Sequence, residues 1–415
     1  MSAERPISRA AAVVINPEFT WYIISRFLFI AGLRMTPVLL GWRLYQITGS
    51  KLSLGIVGLA EVIPAIAFAL PAGVKVDRSN KHQLLSHCIA IYFFIMAGLL
   101  LVTSPWAVGY LSKTWIPWSI YLMVFLSGVV RAYSGPAFNS FLAQLVEQGS
   151  LVRAISVNSM IWLTAAVAGP GLAGMLIGYT SITIAFIVVC VLIGISWILF
   201  HKISPKPVSW KDNKGRTWEA VKEGLRFVFS QKSLLGAMSL DMFAVLFGGA
   251  AALLPVFAAD ILKVGPQHLG WLVAATYLGN FVAIAWLTKR PLKKKQGLQL
   301  FYVVAGFGAC ILVFALSKNF WLSFAALFVS GLFDGVSMII RGTIVQLFVP
   351  DEMRGRVSSV NSIFINSSNE LGQFESGVAA TVLGTVPSVV FGGCMTIIVV
   401  IATWFKAPAL RKFEY

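Results

Sequence analysis

Ser127–Ser134 reads SGVVRAYS, and Ser330–Ser337, 203 positions further on, reads SGLFDGVS. The two stretches share Ser, Gly and Ser around a single charge, which is Arg131 in the first and Asp334 in the second. The echo continues outward at the same offset. Gly169 and Gly174 are answered by Gly372 and Gly377, and RAISVNS from Arg153 by RVSSVNS from Arg356. The chain therefore reads as two related halves. Duplication in a strongly apolar chain, with opposite charges at matched mid-helix positions, is the pattern of a membrane protein whose halves meet at a central site.

The 415 residues are 58% hydrophobic and 12% charged, well outside the range of soluble domains, and the apolar runs reach the length of a bilayer span. Hydropathy places about twelve spans, beginning near Phe19, Leu52, Leu85, Pro117, Val157, Thr183, Leu234, Leu269, Leu298, Phe320, Val357 and Ser388. The expected fold is an all-α membrane protein of two pseudo-symmetric six-helix bundles, 1–200 and 233–415. They are joined by a polar linker, 201–232, in which TWEAVKEGLRFVF from Thr217 has the spacing of a short surface helix.

A net charge of +17 raises the possibility of nucleic-acid binding, but the basic residues are confined to alternate loops. One set holds Lys75, Arg78 and Lys81, then Lys202, Lys206, Lys211, Lys214 and Arg216, then Lys289 to Lys295, Arg354, Arg356 and Lys406 to Lys412. The other has isolated lysines such as Lys51, Lys113, Lys263 and Lys318. The positive-inside rule then sets both termini in the cytoplasm, and nucleic acid is not an expected partner. The first sixteen residues lack the pattern of a removable signal peptide. Cys88, Cys190, Cys310 and Cys394 lie singly in apolar helices, and the four histidines are scattered, so no disulfide, metal site or cofactor is expected.

Ionisable residues inside the spans carry the chemistry: Arg26, Arg34, Arg43, Glu61, Arg131, Asp241, Asp334, Arg341, Glu370 and Glu375. A charge at mid-bilayer costs about 2.5–3.5 kcal/mol, so leaving half of them in lipid would cost over ~12 kcal/mol. They must face protein or water. Arg34, Glu61, Arg131, Asp334 and Glu370 fall nearest mid-depth. Asp334 and Arg341 are seven apart and share a helix face. Glu370 and Glu375 lie about 140° apart on theirs, so Glu370 is read as reaching the cavity and Glu375 as packing between helices. Arg26 and Glu375 are read as static interhelical ion pairs. The carboxylates Asp334, Asp241, Glu61 and Glu370 are the proton-coupling candidates, because a guanidinium stays ionised. Arg34, Arg131, Arg341 and Glu370 are the cargo-cavity candidates.

Three motifs extend the argument. Gly73-Val-Lys-Val-Asp77-Arg78, between spans two and three, resembles the GxxxDR loop of the major facilitator superfamily. Gly169-Pro170-Gly171-Leu-Ala-Gly174 in span five resembles its GPxxGG motif, with Ala173 in place of one glycine. Arg131 followed by Gly135 resembles a fourth-helix RxxxG feature of proton-coupled exporters. GWRLYQITGS from Gly41, MFAVLFGGAAALLPVFAADIL from Met242 and VPDEMRGRVSSVN from Val349 resemble the branch that contains the enterobactin exporter and related drug-efflux proteins. The resemblance implies proton-coupled export from a bacterial inner membrane, with Gly73, Asp77 and Arg78 as a cytoplasmic gate; charges of both signs with Phe, Trp and Met suit an amphiphilic small molecule, and the repeat-matched glycines suit a monomer. It leaves a lipid flippase or a non-transporting receptor as alternatives. No P-loop occurs, and no nucleophile and base set marks an enzyme.

Overall fold

The computed structural model of the chain describes residues 17–110, 112, 114–207, 217–290, 292, 294–350 and 353–414. The first half contains α1 (Pro17–Thr48), α2 (Lys51–Ala67), α3 (Ala69–Arg78), α4 (Lys81–Thr103), α5 (Trp115–Leu145), α6 (Leu151–Tyr179) and α7 (Ile182–Phe200). A linker helix, α8 (Thr217–Ser230), leads to α9 (Lys232–Gly248), α10 (Pro266–Lys289), α11 (Gln296–Leu316), α12 (Phe320–Phe348), α13 (Arg354–Leu383) and α14 (Thr385–Lys406).

Ten of the described helical stretches are long and apolar enough to cross a membrane, and α2 with α3 forms an eleventh as a pair bent by 58°. The bend has a local cause. Pro71 cannot donate to the carbonyl of Ala67, and its ring crowds that carbonyl, so the helix breaks there. In the second half, α9 is prolonged by a tight turn around Pro255 and a π-helical segment, Phe257–Ile261, giving a stretch from Lys232 to Ile261. The helix absent from the apolar set is α13, 30 residues long, whose middle carries Asn361, Asn366, Asn369, Glu370, Gln373 and Glu375. A span this polar is tolerated where it faces protein or water. With it, twelve helices in two six-helix halves account for the described chain, as the hydropathy pattern predicts.

Short connections force neighbouring spans to run antiparallel. Two of them turn at glycine with positive φ, Gly49 (60°) after α1 and Gly384 (97°) after α13, a conformation that side chains with a Cβ disfavour. Loops rich in lysine and arginine therefore gather at one end of the bundle, called the basic face below, and the other end is the far face. The first half is cored by aromatic packing, with Phe29 edge-on to Tyr92 at 5.2 Å and Tyr22 and Phe141 fully buried. The linker helix forms where the sequence predicts it. It docks on the second bundle: Val228 is buried among Leu234, Val357 and Val360, and Glu223 pairs with Arg356 at 2.7 Å.

Repeat-matched glycines do matched work. A methyl group on Gly169 would lie 2.8 Å from Arg34 Cβ, and one on Gly372 2.8 Å from the Leu246 carbonyl, so these two hold α6 to α1 and α13 to α9 within each half. A methyl on Gly174 would meet Gly270 Cα at 2.7 Å, and one on Gly377 would meet Gly55 Cα at 2.7 Å. This second pair joins α6 to α10 and α13 to α2, across the halves. Backbone-to-backbone approach of this kind requires glycine.

Candidate functional site

The two quoted stretches set the site. Gly128 lies against the α2 backbone, where a methyl would come within 2.6 Å of the Glu61 carbonyl, and Gly331 lies closer still to the Thr276 carbonyl of α10. Three residues past each glycine, the charge enters the interior. Arg131 Nη1 pairs with Glu61 on its own half and reaches Glu370 Oε1 on the other at 2.8 Å. Its Nη2 lies 3.3 Å from Asn366 Oδ1. Gln373 donates to the second oxygen of Glu370 at 2.7 Å. One guanidinium thus ties α5 to α2 and to α13 across the bundle interface. Arg131 keeps 39% side-chain exposure while Glu370 keeps 8%, so water reaches this knot from the arginine side.

The second constellation lies within the second half. Arg341 on α12 pairs with Asp241 on α9, and its Nη2 lies 3.8 Å from Asp334 Oδ1. Asn280 on α10 donates to Asp334 Oδ2 at 2.9 Å. Asp241 is buried, whereas the Asp334 side chain is 27% exposed. Asp241, Asp334 and Ser337 line a narrow cleft with Phe307 and Phe333. Two carboxylates share one arginine here.

The remaining arginines of α1 are held differently. Arg34 donates to the Tyr277 hydroxyl at 3.1 Å and lies over the rings of Trp162 and Tyr277, at 4.8 and 5.3 Å. Arg26 lies over Phe138 at 4.6 Å and donates to Tyr22 at 3.1 Å, and its Nε is buried without a partner. The static ion pairs expected for Arg26 and Glu375 do not form: neither has an oppositely charged partner among the described residues. Helical phase explains Glu375, which lies between the α9-facing Gly372 and the exposed Leu371 and Val378.

The halves touch near the far face and diverge toward the basic face. On α6, Gly174 and Gly178 pack against Gly270 and Gln267. Ser156 and Met160, five turns earlier on the same face, are exposed. On α10, Ala285 and Thr288, five turns beyond Gln267 and Gly270, are exposed as well. On α13, Ser362, Asn366 and Asn369 are exposed on the basic side of the contact at Gly377. Exposed amides at this depth require a water-filled space. At the far face, Tyr45 of α1 donates to Asp260 of the π-helical segment at 2.5 Å, adding a polar link across the halves.

Other expected positions fare differently. Asp77 and Arg78 are exposed at the basic end of α3. A methyl on Gly73 would meet nothing within 4 Å, while Ala72 and Val76 on the same helix are buried. Several residues around the charges escape a reading based on ionisable groups alone, namely Trp162, Tyr277, Asn280, Asn366 and Gln373. The amides among them had a legible signal, since an Asn or Gln inside a span needs a polar partner. The aromatic rings had none.

Two helical bundles around a wet, charge-lined space, closed at one end by glycine contacts, define a transporter architecture. The chain belongs to the Major Facilitator Superfamily, whose family profile matches residues 22–373 and 253–411. It is similar to the staphyloferrin A transporter of Staphylococcus aureus, 22% identical over 394 residues, covering 94% of this chain and 96% of that protein. It is also similar to the multidrug efflux pump Tap of Mycobacterium tuberculosis, 23% identical over 403 residues and covering 92% of each. Among solved structures, a mutant of the nucleoside transporter NupG superposes with a TM-score of 0.74 at 12% identity, covering 94% of this chain and 99% of that one. The chain is a multi-pass membrane transporter and not an enzyme.

Proposed function

We propose that this protein exports an amphiphilic small molecule in exchange for protons by alternating access, from the cytoplasm across a bacterial inner membrane, as a monomer. The observation that carries the reading is the Arg131–Glu61–Glu370 knot, a charged link between the halves at mid-depth with one side open to water. A link of this kind is stable in one arrangement of the bundles and must be exchanged in another, which gives protonation of a carboxylate leverage over the equilibrium. Asp334 is the first candidate for the coupling acid, since it is partly exposed in a cleft and shares Arg341 with Asp241. Asp241, Glu61 and Glu370 follow.

With the basic face as the cytoplasmic side, the arrangement described here is open inward. Cargo would enter past Ser156, Ser362 and Asn366 and rest between the two constellations. The siderophore and drug relatives support an amphiphilic cargo. The mixture of arginines, carboxylates and aromatic rings suits such molecules. The test is flux in proteoliposomes with and without a pH gradient, for a siderophore, an organic cation and a lysolipid. Gradient-driven flux of one class is the expected result. Flux indifferent to the gradient refutes coupling, and unchanged coupled flux in Asp334→Asn removes Asp334 as the coupling acid.

A further inference from the structure

The charges inside the spans are not shared evenly. The second half brings Asp241, Asp334, Glu370 and Glu375 against Arg341, while the first brings Arg26, Arg34, Arg43 and Arg131 against Glu61. Arg131 and Arg341 are matched to carboxylates, and Arg43 donates twice to the Thr103 carbonyl, at 3.1 and 2.9 Å. Neither Arg26 nor Arg34 forms a salt bridge among the described residues; their direct contacts are hydroxyls and aromatic faces, and Glu370, already held by Arg131, acts on Arg34 only through space.

A guanidinium does not lose its proton, so both positions retain full positive charge in a partly dehydrated setting. Ring faces and phenol oxygens offset part of that cost, and an anion would offset the rest. We propose that Arg26 and Arg34 form the binding face for the acidic group of an organic anion, with a planar apolar part of the same molecule lying against Trp162 and Tyr277. This inference rests on the transporter reading above and specifies its cargo as a carboxylate-bearing amphiphile.

Three features favour an organic anion. The guanidinium fork matches a carboxylate in two parallel hydrogen bonds. Arg34 is flanked by rings from both halves, Trp162 of α6 and Tyr277 of α10, which a bare inorganic ion would leave unused. Arg26 lies about 12 Å along α1 from Arg34 on the basic side, from eight residues at helical rise, so an anion entering from the open end meets Arg26 first.

The test uses the purified full-length chain in detergent and three fluorescent probes on one scaffold: 1-pyrenebutyrate, its methyl ester, and the trimethylammonium analogue. Anisotropy measures binding without any proton gradient, so the outcome is separate from coupled transport. The acid is expected to bind at least about tenfold tighter than the ester, some 1.4 kcal/mol, with the cation weakest. Arg34→Gln and Arg26→Gln should each remove most of the acid's advantage over the ester. Equal binding of ester and acid, preference for the cation, or an acid preference that survives both substitutions together would overturn the proposal. So would displacement of the acid by an equal concentration of inorganic sulfate. If a glutamine variant does not purify as a monodisperse protein, the ranking of the three probes on the unaltered chain decides.

Discussion

Replacing Gly174 by alanine should open the far face. The added methyl would lie 2.7 Å from Gly270 Cα and 2.7 Å from the Pro266 carbonyl. Carbon contacts are comfortable only at about 3.5–4.0 Å, so α6 and α10 must part by roughly 1 Å at this point. Both obstacles are backbone and cannot rotate aside. Overpacking of this kind costs ~1–3 kcal/mol. The higher helix propensity of alanine, about 1 kcal/mol, acts equally in every arrangement of the bundles and cancels from the equilibrium between them. The steric cost falls only on the arrangement in which the two helices touch, so the balance should move toward far-face opening by about 5- to 150-fold. Nitroxide labels at Tyr179 and Trp321, exposed at the far ends of α6 and α12, report the change by electron–electron distance, in a background with the exposed Cys394 replaced. Gly171→Ala is the control, because a methyl there meets nothing within 4 Å. An unchanged distance distribution in Gly174→Ala, or an equal change in the control, would refute the argument that this contact closes the far face.

Four further outcomes follow from the same geometry. Arg341→Gln strands the buried Asp241 and should lower stability by ~3–5 kcal/mol, read as thermal unfolding in detergent, with partial recovery when Asp241→Asn is added. Tyr45→Phe removes the hydroxyl that donates to Asp260, and a bond to a charged acceptor is worth about 1.5–3 kcal/mol, so the Tyr179 and Trp321 labels should again move apart. Glu370→Gln weakens the arm that Arg131 extends across the halves while the amide can still pair with Gln373; coupled flux should fall about tenfold or more for a loss near 1.4 kcal/mol, and undiminished flux would count against the knot as a working element. Gly73→Ala should, through helix propensity, raise the stability of this arrangement by up to about 1 kcal/mol, because no neighbour is near, read as thermal unfolding in detergent.

The duplicated stretches made the two-half plan legible, since a chain that repeats SGxxxxxS with its flanking glycines must repeat the packing those glycines permit. Gly128 and Gly331 on neighbouring carbonyls, and Gly174 and Gly377 across the halves, are that repetition in space. Mid-span position also identified Arg131, Asp334 and Glu370 as interior charges. The polar span α13 was placed by hydropathy, beginning near Val357, although its composition falls outside the strictly apolar set.

Partnership was beyond the sequence. Glu61 and Glu370 lie on helices of different halves, far apart in the chain, and nothing local says that one arginine takes both. Arg26 reads like any intramembrane charge in need of a salt bridge, yet the packing of α1 on α5 gives it the Phe138 ring instead, beside the Tyr22 phenol one turn back on its own helix. Local sequence fixes helix length, bends and which residues are too polar for lipid, because those depend on neighbours a few positions away. The choice of partner for each charge, and the end at which the bundles touch, depend on how helices distant in sequence are brought together, and that was decided by tertiary packing alone.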